Sequence, residues 1–308
     1  MEFIRSDARD FPATPCALQQ SAGYAHALRE LGVQSETYVA KDGTCHIAKL
    51  HVLRRRIGPM NIAWLPRGPV WATDTPPEQR ARLMRTLRKV GTTSTTWIIS
   101  SETPQETRLF PHLVLMSPQY VAEIDLTADT ETRLAAMHGK WRNRLRHAER
   151  SELHIRQRPF RSDRDLNVLV FEASQRKQRG YKALPPDFVL AWEKAGPKSS
   201  RLFTAMRGNT PLAHLLVLLH KPVATYHIGW SGAEGRRLSA HNLALWEAAA
   251  WLTGKGYLRF DLGNVDTQNA PGLARFKIGS GARIRPLGPT CLHLPHLPFG
   301  RRPRHDAA

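Results

Sequence analysis

Apolar positions alternate with polar ones in some stretches and recur every three to four residues in others. These are the signatures of half-buried strands and of amphipathic helices. The helical repeat runs from Gln19 to Leu31, and Gly32 supplies a natural C-terminal stop. Alternating stretches at 36–40 and 45–53 predict two strands joined at Lys41-Asp42-Gly43-Thr44, where Asp-Gly favours a hairpin turn. A further strand covers 61–65. Pro76-Pro77 opens a helix to about Val90, since proline is tolerated in a first helical turn. Strands near 95–100 and 119–126 complete the first half.

Residues 130–154 predict one long helix. Its apolar face carries Trp141, Leu145 and Ala148, and a second face carries Arg142, Arg146 and Arg150 at intervals of four. A strand at 154–157 and a helix over 163–179 follow. The strand Arg201–Met206 turns at Arg207-Gly208-Asn209-Thr210 into the buried strand Leu212–Leu219, which is apolar but for His214 and has Val223–Trp230 as its hairpin partner. A loop rich in Gly and Arg leads to a helix over Ala240–Leu252 and a strand over Tyr257–Leu262. The pattern contains no solenoid repeat, heptad or low-complexity tract.

Charge adds the first chemical clue. The 308 residues include 45 Lys and Arg against 26 Asp and Glu, a formal charge of +19. Such a chain is attracted to polyanions, whether nucleic acid, anionic lipid or a phosphorylated precursor. A hydrophobic fraction of 41% with 23% charged residues is globular. Cys16, Cys45 and Cys291 are widely spaced, with no CxxC or Cys/His cluster, so reduced thiols without a metal are expected. The N-terminus lacks an apolar signal core, and Leu212–Leu219 is too short to span a bilayer. These features predict a soluble, cytoplasmic protein.

The order of three strands, loop, helix and strand in the second half resembles the core of the GNAT acyltransferase fold. Most GNAT enzymes hold acyl-CoA with an Arg/Gln-x-x-Gly-x-Gly/Ala loop, whose backbone N–H groups and helix N-terminus grip the pyrophosphate. Counted from Arg236, the two glycine positions here are Ser239 and His241, so that cradle is not intact. Arg236 and Arg237 remain candidate phosphate ligands.

Several segments in order resemble the Fem-type, peptidoglycan-bridge aminoacyltransferases of the GNAT superfamily. They are Pro66-Arg67-Gly68-Pro69-Val70, the basic helix Lys140-Trp141-Arg142-Asn143-Arg144-Leu145-Arg146-His147-Ala148-Glu149, Ala224-Thr225-Tyr226-His227, and Leu243-Ala244-Leu245-Trp246-Glu247. The final motif is Phe260-Asp261-Leu262-Gly263, then Gly272-Leu273-Ala274-Arg275-Phe276-Lys277-Ile278-Gly279. The resemblance implies an α/β protein of two GNAT-like domains, each a mixed sheet flanked by helices, with the chain end returning to the first. The boundaries expected are 1–128 for the first domain and 129–280 for the second. Residues 281–294 complete the first domain, and 295–308 form a basic, disordered tail.

The same resemblance implies transfer of an amino acid from aminoacyl-tRNA to an amine on a peptidoglycan or other envelope precursor. It implies that neither CoA nor metal is required; a monomer is expected. Aminolysis of an activated ester requires a neutral amine, an oxyanion site and a route for one proton. The family lysine of the Phe-Lys motif, Lys277, is the expected oxyanion partner. Asp261 is expected to orient Lys277 or accept a proton, or to satisfy the turn at Gly263-Asn264. Strand alternation sends Tyr226 and His227 to opposite faces, and Tyr226 is expected to line the site. Arg142, Arg146 and Arg150, with Arg236, Arg237 and Arg67, are candidates for gripping tRNA or a precursor phosphate through guanidinium forks. Two alternatives stay open: an acyl-CoA-dependent GNAT enzyme with an altered loop, and a non-catalytic nucleic-acid-binding protein on the same fold.

Overall fold

A computed structural model describes residues 1–6, 11, 14–90, 95–180 and 183–293. The basic tail expected at 295–308 lies outside the described residues. The chain opens with β1 (Glu2–Ser6) and helix α1 (Ala22–Glu30). A meander follows of β2 (Ser35–Asp42), β3 (Cys45–Ile57) and β4 (Met60–Pro66), with the short β5 (Val70–Trp71). Helix α2 (Pro77–Thr86) leads to β6 (Thr95–Ser100), β7 (His112–Met116) and β8 (Tyr120–Asp125). Helices α3 (Thr130–Ala136) and α4 (Gly139–Glu149) precede β9 (His154–Arg158), and α5 (Ser162–Arg179) and α6 (Pro186–Ala195) come next. The second meander is β10 (Ser200–Arg207), β11 (Thr210–His220) and β12 (Val223–Ser231). Then come α7 (Ala233–Arg237), α8 (Ala240–Gly254), β13 (Arg259–Asn264), α9 (Pro271–Gly279), β14 (Arg283–Pro286) and β15 (Thr290–His293).

The chain divides into two units. The first comprises residues 1–11, 35–118 and 287 onward; the second comprises 12–34 and 119–286. Helix α1, placed with the first half by its position in the sequence, belongs to the second unit and packs on α6, with Tyr24 5.4 Å from Phe188 between ring centroids. Strand β14 also stays in the second unit, paired with β8. Of 281–294, only the part from Leu287 onward belongs with the first.

The first unit is a mixed sheet in the order β1-β2-β3-β4-β6-β15-β7, with β4 and β6 parallel and β5 paired to β3. One face buries Ile47, Leu50, Val52, Trp97, Ile99 and Cys291 against Leu83 and Met84 of α2. Beside this core, buried Glu106 closes a capping box with Thr103 and accepts from Trp71 Nε1 at 2.9 Å. Burial pushes its carboxyl up to about 7, against the pull of those donors.

The second unit is a seven-stranded sheet in the order β14-β8-β13-β12-β11-β10-β9. Strand β11 is apolar from Leu212 to Leu219 apart from buried His214, because both its faces are covered. Helices α4 and α8 bury Trp141, Leu145, Ala148 and Leu252 against Phe203, Val217 and Phe260. Val168, Leu169 of α5 and Val189 of α6 cover Leu202, Leu216 and Ile228 on the other side. The long helix read over 130–154 is two helices. Met137 and His138 are extended, and His138 Nδ1 accepts the Lys140 N–H at 3.2 Å as the cap of α4. The His138 N–H in turn donates to Gly279 O at 3.0 Å, tying the break to the end of α9. No helix among the described residues is long and apolar enough to cross a membrane. The three cysteines are free thiols.

Candidate active site

Strands β12 and β13 set up the site. Their parallel pairing covers Val223–Thr225 against Arg259–Asp261, and both strands run on past it, to Ser231 and Asn264. Strand β12 also carries a bulge at this point. Leu216 of β11 faces Ile228 and Val217 faces Tyr226, so His227 is an extra residue. The bulge separates three neighbours. Tyr226 packs with the core under α8, whereas His227 lies 5.9 Å from the Phe188 ring and Ile228 joins the core under α5.

Helices α8 and α9 converge on Tyr226. Its hydroxyl is 3.0 Å from Nε2 of His241, in the first turn of α8, and the two rings meet edge to face. The Phe276 ring of α9 lies 5.2 Å from His241. The next residue, Lys277, holds its Nζ 5.9 Å from the centre of the Tyr226 ring and donates to Asn264 O, at the end of β13, at 2.8 Å. Asp261 of β13 is buried and accepts the Gly263 N–H at 2.7 Å, the turn-satisfying role expected of it. Its charge also acts on Lys277, favouring the ammonium. Burial works against the ammonium more strongly and lowers the Lys277 pKa to about 8. The amine is therefore mainly a cation at neutral pH. It carries three N–H donors, of which the Asn264 carbonyl takes one.

The structure thus brings Lys277, Asp261 and Tyr226 together. It adds His241, which the sequence offered only as a misfit in a phosphate loop. Trp141 supports the arrangement by donating from Nε1 to Phe276 O at 3.1 Å. A small cavity beside Trp141, lined by Arg133, Met137 and Trp246, has room for about one water. Lys277, Tyr226 and His241 do not line it.

The arginines separate into engaged and exposed groups. Arg67, in the first unit, makes a two-pronged bridge to Glu102 at 2.8 and 3.0 Å, so its charge is already balanced. Arg142 lies on α4 with Nη1 3.3–3.4 Å from the carbonyls of Leu134 and Ala135, closing the end of α3. Arg146 and Arg150 are exposed.

Residues 231–241, read as a loop, contain the helix α7. Arg236 donates to Ser231 O, and Arg237 pairs with Glu234 at 2.6 and 2.9 Å. Gly235 is pressed on β11, where an added Cβ would lie 2.2 Å from Leu212 O. His241 fills the second glycine position with a ring bonded to Tyr226. Ser239, at the first glycine position, has a left-handed backbone and precedes the first residue of α8. Among the described residues, no group of three or more His, Cys, Asp or Glu is placed to hold a metal ion.

Residues 135–277, within the second unit, match the model of the acetyltransferase (GNAT) domain family. Over nearly its whole length the chain has the same fold as FemX. That likeness covers 96% of this chain and 98% of the other, with a TM-score of 0.77 at 12% identity. It is also similar to the C-terminal domain of a putative lysylphosphatidylglycerol synthetase from Agrobacterium fabrum (TM-score 0.55, 15% identity, 89% and 88% covered). A tandem GNAT protein from the clavulanic acid biosynthesis pathway gives a TM-score of 0.51 at 13% identity, with 94% and 97% covered. No curated protein matches the chain. The architecture is a two-domain, GNAT-like fold of the kind seen in FemX.

Proposed function

We propose that this protein is a cytoplasmic, monomeric aminoacyltransferase. It moves an amino acid from aminoacyl-tRNA to an acceptor amine on a peptidoglycan or other envelope precursor. The observation that carries the reading is Lys277. It is a buried cation with a fixed backbone partner at the end of β13, beyond the stretch where β12 and β13 pair.

In this reading the neutral acceptor amine attacks the ester carbonyl carbon and a C–N bond forms. Negative charge develops on the carbonyl oxygen, and the Lys277 ammonium stabilises it in a site where water is sparse. The C–O bond to the terminal ribose of the tRNA then breaks. The ribose hydroxyl leaves with a proton equivalent to the one the amine loses. Exposed Arg146 and Arg150, with the +19 formal charge, favour a polyanionic donor.

The test offers two donors, total charged tRNA and acetyl-CoA, each with a panel of amines. Amine-dependent deacylation of charged tRNA, with no acetyl-CoA binding at low micromolar concentration, is expected. Stoichiometric, tight acetyl-CoA binding with acetyl transfer would overturn the reading.

A further inference from the structure

Three secondary-structure elements meet at one hydrogen bond in the second unit. His241 comes from α8, Tyr226 from β12, and the Phe276-Lys277 pair from α9. The His241 ring touches both neighbours: Nε2 is 3.0 Å from the Tyr226 hydroxyl, and its centre is 5.2 Å from that of Phe276. The β12 backbone is pressed against the same bond. A Cβ at Gly229 would lie 1.7 Å from Tyr226 Oη and 2.8 Å from His241 Nε2. Gly229 is itself held in place, since its carbonyl accepts from Gln175 Nε2 of α5 at 2.9 Å. The phenol therefore has little room to turn, and its ring is the surface beside which the Lys277 ammonium sits.

We infer that His241 is the positioning residue of this site: through the Tyr226 hydroxyl it fixes the ring that holds Lys277 in place. Burial pushes the His241 pKa down to about 4, helped slightly by His214, so the imidazole is neutral and adds no repulsion to the lysine cation. The groups that face Lys277 are then Asp261 and the Asn264 carbonyl of β13, the Tyr226 ring of β12 and, behind it, neutral His241. Asp261 and Asn264 are set by the strand and the turn that follows it. Tyr226 is set by His241. Freeing the phenol loosens the wall that keeps water from the ammonium. The inference rests on reading Lys277 as the cation of the site.

The experiment compares His241→Phe, His241→Gln, Tyr226→Phe and the double variant His241→Phe/Tyr226→Phe. Phenylalanine keeps the ring and loses the bond; glutamine can restore it. The readout is the lysine Cε NMR titration of the protein without substrate, with the Lys277 signal assigned by its absence from Lys277→Arg. In His241→Phe and Tyr226→Phe the midpoint should rise by about half a unit or more, a change of roughly threefold in the ionisation constant. The double variant should move it no further, and His241→Gln should stay near wild type.

In transfer assays, His241→Phe should lower kcat with the KM for donor unchanged. A merely structural role would lower thermal stability and leave the lysine titration where it was. A folded His241→Phe protein with an unmoved Lys277 midpoint overturns the inference. The expected titration shifts without any transfer from charged tRNA would uphold the hold of His241 on Lys277 and overturn the donor reading alone.

Discussion

Alanine at position 229 should damage the site without touching any titratable residue. Its methyl carbon would sit 1.7 Å from Tyr226 Oη, 2.7 Å from Cζ and 2.8 Å from His241 Nε2, all far inside normal contact. The Gly229 backbone is not left-handed, so the strain is steric and not conformational. Relieving it requires the Tyr226 ring to swing off His241. Overpacking of this kind costs about 1–3 kcal/mol, and a lost hydrogen bond about 1 kcal/mol. Against this, Gly→Ala reduces unfolded-chain entropy, a gain of about 0.4–1 kcal/mol. Because Tyr226 is only half-buried, its hydroxyl can find water, which favours the lower part of the range. The net expectation is a loss of about 1–2 kcal/mol. Urea unfolding at constant pH measures it, with Gly139→Ala as the control, since no atom lies within 4 Å of a Cβ there. A Gly229→Ala protein as stable as wild type, with the tyrosine ring signals of residue 226 unshifted, would refute the steric argument and the tight seat of Tyr226.

Three further outcomes follow from the same geometry. Lys277 titrates at about 8 when folded and near its ordinary value of 10.5 when unfolded, so its burial as a cation costs stability below pH 8 and the cost fades as pH rises to about 10.5. Lys277→Met should therefore be more stable than wild type by roughly 1–3 kcal/mol at pH 7 and no more stable above pH 10.5, read from urea midpoints at both pH values. Glu106, raised from 4.5 to about 7, binds its proton more tightly when folded, so its contribution to stability is full below pH 4.5 and is lost as pH rises to 7. A carboxyl NMR titration of Glu106 with a midpoint near 4.5 would contradict this. Affinity for tRNA should fall linearly with salt on a log–log plot, and exposed Arg146→Ala should flatten the slope by about one if α4 contacts a phosphate. An unchanged slope would place the RNA surface elsewhere.

Much of the second unit was legible because its strands are long, apolar and separated by strong turns. The Leu212–Leu219 run, the turn at Arg207-Gly208-Asn209-Thr210 and the helix after Ser239 all fall where the pattern puts them. What the pattern hid is non-local. The break at Met137-His138 escapes a helical repeat because His138 caps α4 and binds Gly279, more than a hundred residues away. The bulge at His227 inserts a residue without changing the composition of β12, so the partnership of Tyr226 with His241 cannot be read from spacing. Arg67 and Arg237 look alike as free cations in sequence, yet Glu102 and Glu234 neutralise them. Helix α6 went unread although Pro185-Pro186 marks its start. Its apolar residues Phe188, Val189 and Trp192 pack against α1 and α5, elements distant along the chain.

Single-turnover transfer by Lys277→Ala, with charged tRNA and acceptor amine both saturating, tests the account most directly. Circular dichroism first establishes that the variant is folded, and filter binding that it still holds tRNA. A fixed oxyanion donor is worth about two to three orders of magnitude in rate, so transfer should slow at least roughly a hundredfold. Lys277→Arg should rescue it poorly, because a planar fork does not fit the seat of a point charge between the Tyr226 ring and the Asn264 carbonyl. Turnover near wild type in the alanine variant would contradict the assignment of Lys277 to the reaction centre.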